Sequence, residues 1–427
     1  MKKSLVLSLA VGAASAAQLS AADLYITGST AFRANVHDAC AKLFDSGTLV
    51  EHTGTVATGG DSKTGNGAAQ WVMSGTVAST ISALGSTPFT IHALFTGSVQ
   101  GLQTVEQSTK LLFLAADGVT ILTNTPTIAF SDVSGTSTPY PATGNFAEEK
   151  LCVQPFVMCK TVATAASVNG VTWDQLRSGI QPGRVPLSAW THNPADHSSF
   201  VYLVQRTKDS GTRRTELAEC QFPYNQSVGI YLFDNVTNNT FYKPSVASTV
   251  IVGANGNGNA NLNWGSGYVG GADIKTELAY NFSGNQAIAI LSIGDAKGVT
   301  GVNWSQVIPL NSTWPTAAGS GISGNNGTND YTPISLGQYP LWAYEVVVYP
   351  TVDPSTINSD QNLTAAILGN QSTSGTILGV LDNVSAGAPL VGSIENEIEL
   401  SKPTGATAVR LKDMTASRAS VGGTITP

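Results

Sequence analysis

Phe200-Val-Tyr-Leu-Val-Gln-Arg-Thr-Lys-Asp-Ser-Gly-Thr-Arg-Arg-Thr-Glu216 passes from an apolar run of strand length, through a Ser-Gly-Thr turn, into a polar and basic segment. Read as strand, small-residue turn and helix start, it sets Arg206 at a strand end and Ser210, Gly211 and Thr212 at a helix N-terminus. The same grammar occurs twice more. Asp23-Leu-Tyr-Ile26 leads into Gly28-Ser-Thr30 and a helix over 31–44, with Phe32, Val36, Cys40 and Leu43 on one face. Thr90-Ile-His-Ala-Leu-Phe95 leads into Gly97-Ser-Val-Gln-Gly101, with a helix over 102–111. With further apolar runs at 287–293 and 344–349, this alternation predicts an α/β chain.

Helix starts carry unpaired N–H groups and the positive end of the peptide dipoles, so three of them around one point would suit an oxyanion. Ser and Thr add hydroxyl donors there. Arg206 adds a planar fork of donors that fits phosphate or carboxylate bidentately. Asp132, in Ile128-Ala-Phe-Ser-Asp-Val133, places an acid after a short apolar strand. Taken singly, a Ser-Thr pair before a helix is an N-cap and an arginine is a solvated charge. Their combination is what points to an anion site.

The order ITGSTAF, FTGSVQG, IAFSDV, RTKDSGT resembles the periplasmic phosphate-binding proteins of ABC transporters, members of the type II solute-binding superfamily. Val171-Thr-Trp-Asp-Gln-Leu-Arg-Ser-Gly179 and Gln338-Tyr-Pro-Leu-Trp-Ala-Tyr344 extend the resemblance over most of the chain, and R-x-x-x-S-G-T is its most specific element. The resemblance implies two α/β domains with a ligand cleft between them. One would comprise 23–150 plus 343–427 and the other 151–342, with crossings near 150–158 and 338–344. It also implies a phosphate site made of Ser29, Thr30, Ser98 and Asp132 from one side and Arg206, Ser210, Gly211 and Thr212 from the other. Asp132 would accept the proton of hydrogenphosphate, whereas sulfate offers none, so phosphate is preferred. Lys208 and Asp209 stand where the family usually has an acid and a glycine, so the acid that orients the arginine is missing or shifted to Asp209.

A chain of 427 residues, 42% hydrophobic and 11% charged, is long enough for two cores. Its net charge of −7 argues against general nucleic-acid or acidic-membrane binding. Lys2 and Lys3, an apolar run from 5 to 17 and small residues to 22 read as a secretory signal over 1–22, too short for a membrane span. A periplasmic or secreted monomer without cofactor or metal is expected, with an ABC permease as the membrane partner the resemblance implies. Cys40, Cys152, Cys159 and Cys220 allow one or two disulfides in such a compartment. The Asn/Gly-rich stretches 225–271 and 311–329 read as long surface loops, and the tail after about residue 414 as loosely ordered.

The rival class is a secreted phosphate-ester hydrolase. No G-x-S-x-G, H-E-x-x-H or G-x-x-x-x-G-K-[ST] motif occurs. His192 and His197 flank Pro194 in what reads as a polar loop, and Ser210 has no histidine placed beside it. A non-enzyme is expected. A further alternative is an exported surface or matrix protein that keeps the binding-protein fold without transport.

Overall fold

The computed structural model describes residues 22–54, 65–78, 88–144, 146–161, 164–224, 226–234, 240–242, 267–278, 286–297, 306–317, 330–350, 409–410 and 413–426. The expected leader, apart from Ala22, and much of the Asn/Gly-rich stretches lie outside them. The first elements are β1 (Ala22–Gly28), α1 (Arg33–Ala41), β2 (Val50–Thr53), β3 (Gln70–Thr76), β4 (Pro88–Leu94), α2 (Ser98–Glu106), β5 (Leu111–Leu114), β6 (Ile121–Asn124), β7 (Ile128–Ser131) and β8 (Phe146–Lys160). Then come α3 (Trp173–Ile180), β9 (Arg184–Pro186), α4 (Ser188–Thr191), β10 (Phe200–Leu203), α5 (Gly211–Glu219), β11 (Leu232–Asp234), β12 (Thr240–Tyr242), α6 (Gly271–Leu278) and β13 (Gln286–Ser292). The last are α7 (Ile293–Lys297), β14 (Val307–Ile308), α8 (Thr332–Ser335), β15 (Trp342–Pro350) and β16 (Val409–Arg410).

The architecture is mixed α/β, built on one large sheet ordered β2-β3-β4-β1-β7-β15-β8-β13-β10-β9. β1 runs parallel to β4 on one side and to β7 on the other, and β10 runs parallel to β13. Between these parallel groups, β15 and β8 pair with each other antiparallel, and β15 also pairs with β7. The final residues of β8, Phe156 to Lys160, pair with β13, so this strand runs from one half of the sheet into the other. Parallel neighbours end at the same edge, which is why the segments that follow β4, β1 and β7 meet, as do those that follow β10 and β13.

The predicted apolar face of α1 is buried: Phe32, Val36, Cys40 and Leu43 pack into the main core with Leu24, Ile26 and Trp71. The helix itself is shorter than expected, Arg33–Ala41. α2 starts earlier than expected, at Ser98, and ends at Glu106, while Leu111 opens a strand. Gly97 is the reason: at φ 122° it turns the chain straight from β4 into the helix, so Gly97-Ser-Val-Gln-Gly101 is a helix start and not a separate loop.

Two other expectations are corrected. The tail over 413–426 is docked, not loose: Ala416 and Arg418 are buried, Ser417 bridges Thr426, and Arg418 pairs with Glu219 while lying 4.1 Å from the Trp342 ring centroid. A buried guanidinium held by both a carboxylate and an indole face fixes the segment it belongs to. The four cysteines are buried and none of them forms a disulfide. Cys152 and Cys159 lie on the same strand, β8, too far apart along it to bridge, and burial pushes the Cys159 thiol up to about 12.

Candidate functional site

The edge where β4, β1 and β7 end carries Ser98, Ser29 with Thr30, and Asp132. Facing it, beyond β10, come Arg206 and the turn into α5 with Ser210, Gly211 and Thr212. The eight sequence-predicted residues therefore come from both halves of the sheet, and all eight are buried: Arg206 is 4% exposed and Asp132 1%. They meet at one seam. A methyl group on Gly211 would lie 1.5 Å from Asp132 Oδ1, and Val99 N–H donates to Asp209 O across the seam at 3.0 Å. Only glycine at 211 permits so close an approach.

Arg206 is enclosed on all sides. Its Nε donates to Tyr268 O at 3.3 Å, Nη1 to Thr212 Oγ at 3.4 Å, and Nη2 to Val269 O at 2.6 Å and to Thr30 Oγ at 2.9 Å. A hydroxyl that accepts from a guanidinium keeps its own proton to donate. Thr30 and Thr212 thus convert a buried positive charge into O–H donors available to an anion. Burial pulls the Arg206 guanidinium below its ordinary value, opposed by Asp295, Asp132 and Asp273.

Asp132 is fixed by Ser98, whose hydroxyl donates to Oδ1, and the Asp132 N–H donates back to Ser98 Oγ at 3.3 Å. The Ser98 hydroxyl is therefore engaged with the acid. Ser29 Oγ accepts from Phe32 N at 3.3 Å in the turn before α1, and Ser210, the cap of α5, accepts through Oγ from Arg213 N at 3.4 Å, so each hydroxyl keeps a proton to give. The first N–H groups of α5 have no acceptor within their own helix, and Gly211, its first residue, lies against the Asp132 carboxylate.

Burial pushes the Asp132 carboxyl up to about 6, against the lowering effect of Ser98 and Arg206, and the Glu216 carboxyl up to about 7 against Gln205 and Arg213. A carboxyl whose value is raised on folding binds a proton that the unfolded chain has released. The protein without ligand should then lose stability as pH rises from about 4 to about 6 through Asp132, by on the order of 3 kcal/mol once ionised. Thermal melts of wild type and Asp132→Asn across that range check this. The variant should show the shallower fall, and identical slopes would place the titration elsewhere.

Sequence reasoning missed Arg33, Asp295 and Glu345. Arg33 donates through Nε to Gly67 O at 3.0 Å and through Nη1 to Thr30 O, so it braces the turn before α1. Glu345, fully buried on β15, has neither oxygen hydrogen-bonded, and burial together with Asp132 pushes its carboxyl well above the ordinary value. The acid expected to orient Arg206 is corrected as well. Asp209 is half-buried and acts through its backbone on Val99, Lys208 is exposed, and the carboxylates whose charge acts on Arg206 are Asp295, Asp132 and Asp273. Among the described residues no His/Cys/Asp/Glu group could hold a metal ion, and no helix is long and apolar enough to cross a membrane.

No protein-family model and no curated protein matches the chain. Solved structures do. A Clostridium perfringens protein assigned as a phosphate ABC transporter substrate-binding protein, with phosphate bound, is 13% identical at a TM-score of 0.40, over 83% of this chain and 96% of that one. An ABC-type phosphate transport receptor from Vibrio cholerae is 14% identical at 0.38, over 80% and 91%. A phosphate-binding protein from Stenotrophomonas maltophilia is 15% identical at 0.35, over 88% and 89%. With every score below 0.5, the likeness is one of loose overall layout and does not extend to what this chain binds.

Proposed function

We propose that this chain is an exported substrate-binding protein that captures inorganic phosphate at the seam between its two halves, without performing chemistry on it. The halves would act as domains, 23–150 with 343–427 and 151–342, that close over the anion and present the closed form to an ABC-type permease. The observation that carries this reading is the meeting of Arg206 and the Ser210-Gly211-Thr212 helix start with Thr30, Ser29, Ser98 and Asp132 in one buried place. Hydroxyls, helix N–H groups and one guanidinium supply donors and positive charge for a dianion. A single fixed carboxylate among them is an acceptor, which hydrogenphosphate can satisfy with its proton and sulfate cannot.

Calorimetric titration of the mature protein, stripped of copurified ligand, tests this. Phosphate and its analogue arsenate should bind saturably with one site per chain, and sulfate and molybdate should give no heat. Well-folded protein that takes up no phosphate would sink the proposal and favour an exported structural role for the fold.

A further inference from the structure

We propose that Asp295 positions Arg206 for anion binding and, through Arg33, ties the two halves of the sheet together. The first part rests on the phosphate reading; the tie stands on the geometry alone. β13 is the parallel neighbour of β10, so the chain that leaves β13 arrives at the same edge as the chain that leaves β10. Arg206 lies beyond the end of one and Asp295 beyond the end of the other. Gly271, the first residue of α6, makes room for both: a methyl group there would lie 2.1 Å from Asp295 Oδ2 and 3.5 Å from Arg206 Nη1.

The carboxylate is held in one orientation. Ser292 Oγ donates to Asp295 Oδ2 at 3.1 Å and accepts from Asp295 N at 3.1 Å. Its other oxygen, Oδ1, stands 3.8 Å from Arg33 Nη2, with the two side chains only 8% and 11% exposed. Arg33 belongs to α1 in the first half of the sheet and, through Gly67 O and Thr30 O, is fastened to that half at two further points. One acid therefore faces a guanidinium from each side of the seam, one bracing Thr30 and the other donating to it. A largely buried pair in which each partner makes other hydrogen bonds is the arrangement in which removing one member is felt most. Asp295 also opposes the loss of charge on Arg206 more than Asp132 or Asp273 does.

The test is phosphate titration of wild type, Asp295→Asn, Asp295→Glu, Arg33→Gln, the Arg33→Gln/Asp295→Asn double variant and Asp209→Asn. It is paired with spin-label distances between Val119→Cys and Ser198→Cys, exposed positions on opposite halves, measured without phosphate. The native cysteines are buried and stay unlabelled in the folded protein. Asp295→Asn should raise the phosphate Kd about tenfold, within the usual range for coupled sites, with Asp295→Glu recovering most of it and Asp209→Asn leaving it unchanged. Asp295→Asn and Arg33→Gln should each lengthen or broaden the label distance, and the double variant should go no further than either one. If wild type binds phosphate and Asp295→Asn matches it in both readouts, the proposal falls. If wild type binds none, the phosphate reading and the positioning role fall together, while the label distances still decide the tie.

Discussion

Arg206→Ala is expected to weaken phosphate binding by about a thousandfold, because truncating one member of a buried, hydrogen-bonded charge arrangement costs about 2–5 kcal/mol and each 1.4 kcal/mol is tenfold. The loss has two sources. The anion loses the cation that faces it, and the hydroxyls of Thr30 and Thr212 lose the guanidinium they accept from. Asp295, Asp132 and Asp273 then remain near the seam with that positive charge removed, so the local field turns against an anion. Val269 O also loses the guanidinium donor and Tyr268 O keeps, of Arg206 and Thr207 N–H, only the latter, which lowers stability, so the melt of the variant belongs beside its titration. Arg206→Lys separates charge from geometry. A lysine keeps the charge as a single point but cannot serve Thr212, Thr30 and two carbonyls together, so its affinity should fall between the other two proteins. A folded Arg206→Ala protein that binds phosphate as wild type does would mean the anion is held elsewhere.

What was legible in the sequence, and what was not, follows from the range of the interactions. Ser29, Thr30, Ser98, Asp132 and Arg206 each follow an apolar run directly, and a strand end is a local signal. The apolar face of α1 was legible for the same reason. The start of α2 was misread because Gly97 and Gly101 look like loop residues. In the fold Gly97 makes the turn, and a methyl on Gly101 would lie 2.6 Å from Gly28 Cα, so a glycine inside the helix is what lets α2 rest on β1. Arg33, Asp295 and Glu345 gave no local sign. Asp295 reaches Arg206 only because β13 lies beside β10, and Glu345 reaches Asp132 only because β15 pairs with β7. Chain order does not state which strand becomes whose neighbour. The docked tail has the same explanation, since the attachment of Arg418 to Glu219 and Trp342 exists only once both are in place.

Asp132→Asn is expected to reduce the preference for phosphate over sulfate by about a thousandfold, through losses and gains that act in the same direction. In the wild-type site Asp132 is an almost wholly buried acceptor whose orientation Ser98 fixes. Hydrogenphosphate can donate its proton to that carboxylate, and a charge-assisted hydrogen bond of this kind is worth about 1.5–3 kcal/mol. Sulfate meets the same oxygen with no proton and is repelled. An amide accepts more weakly from phosphate, removes the repulsion from sulfate, and can turn an N–H toward it. The pH profile separates this account from a loss of shape. With its carboxyl pushed up to about 6, wild type should begin to accept sulfate as pH falls below that value, since the protonated acid becomes a donor. The asparagine variant, which has no proton to gain there, should bind sulfate equally on both sides of it. If instead the variant keeps wild-type discrimination at every pH, the proton of the anion is read by another group and not by Asp132.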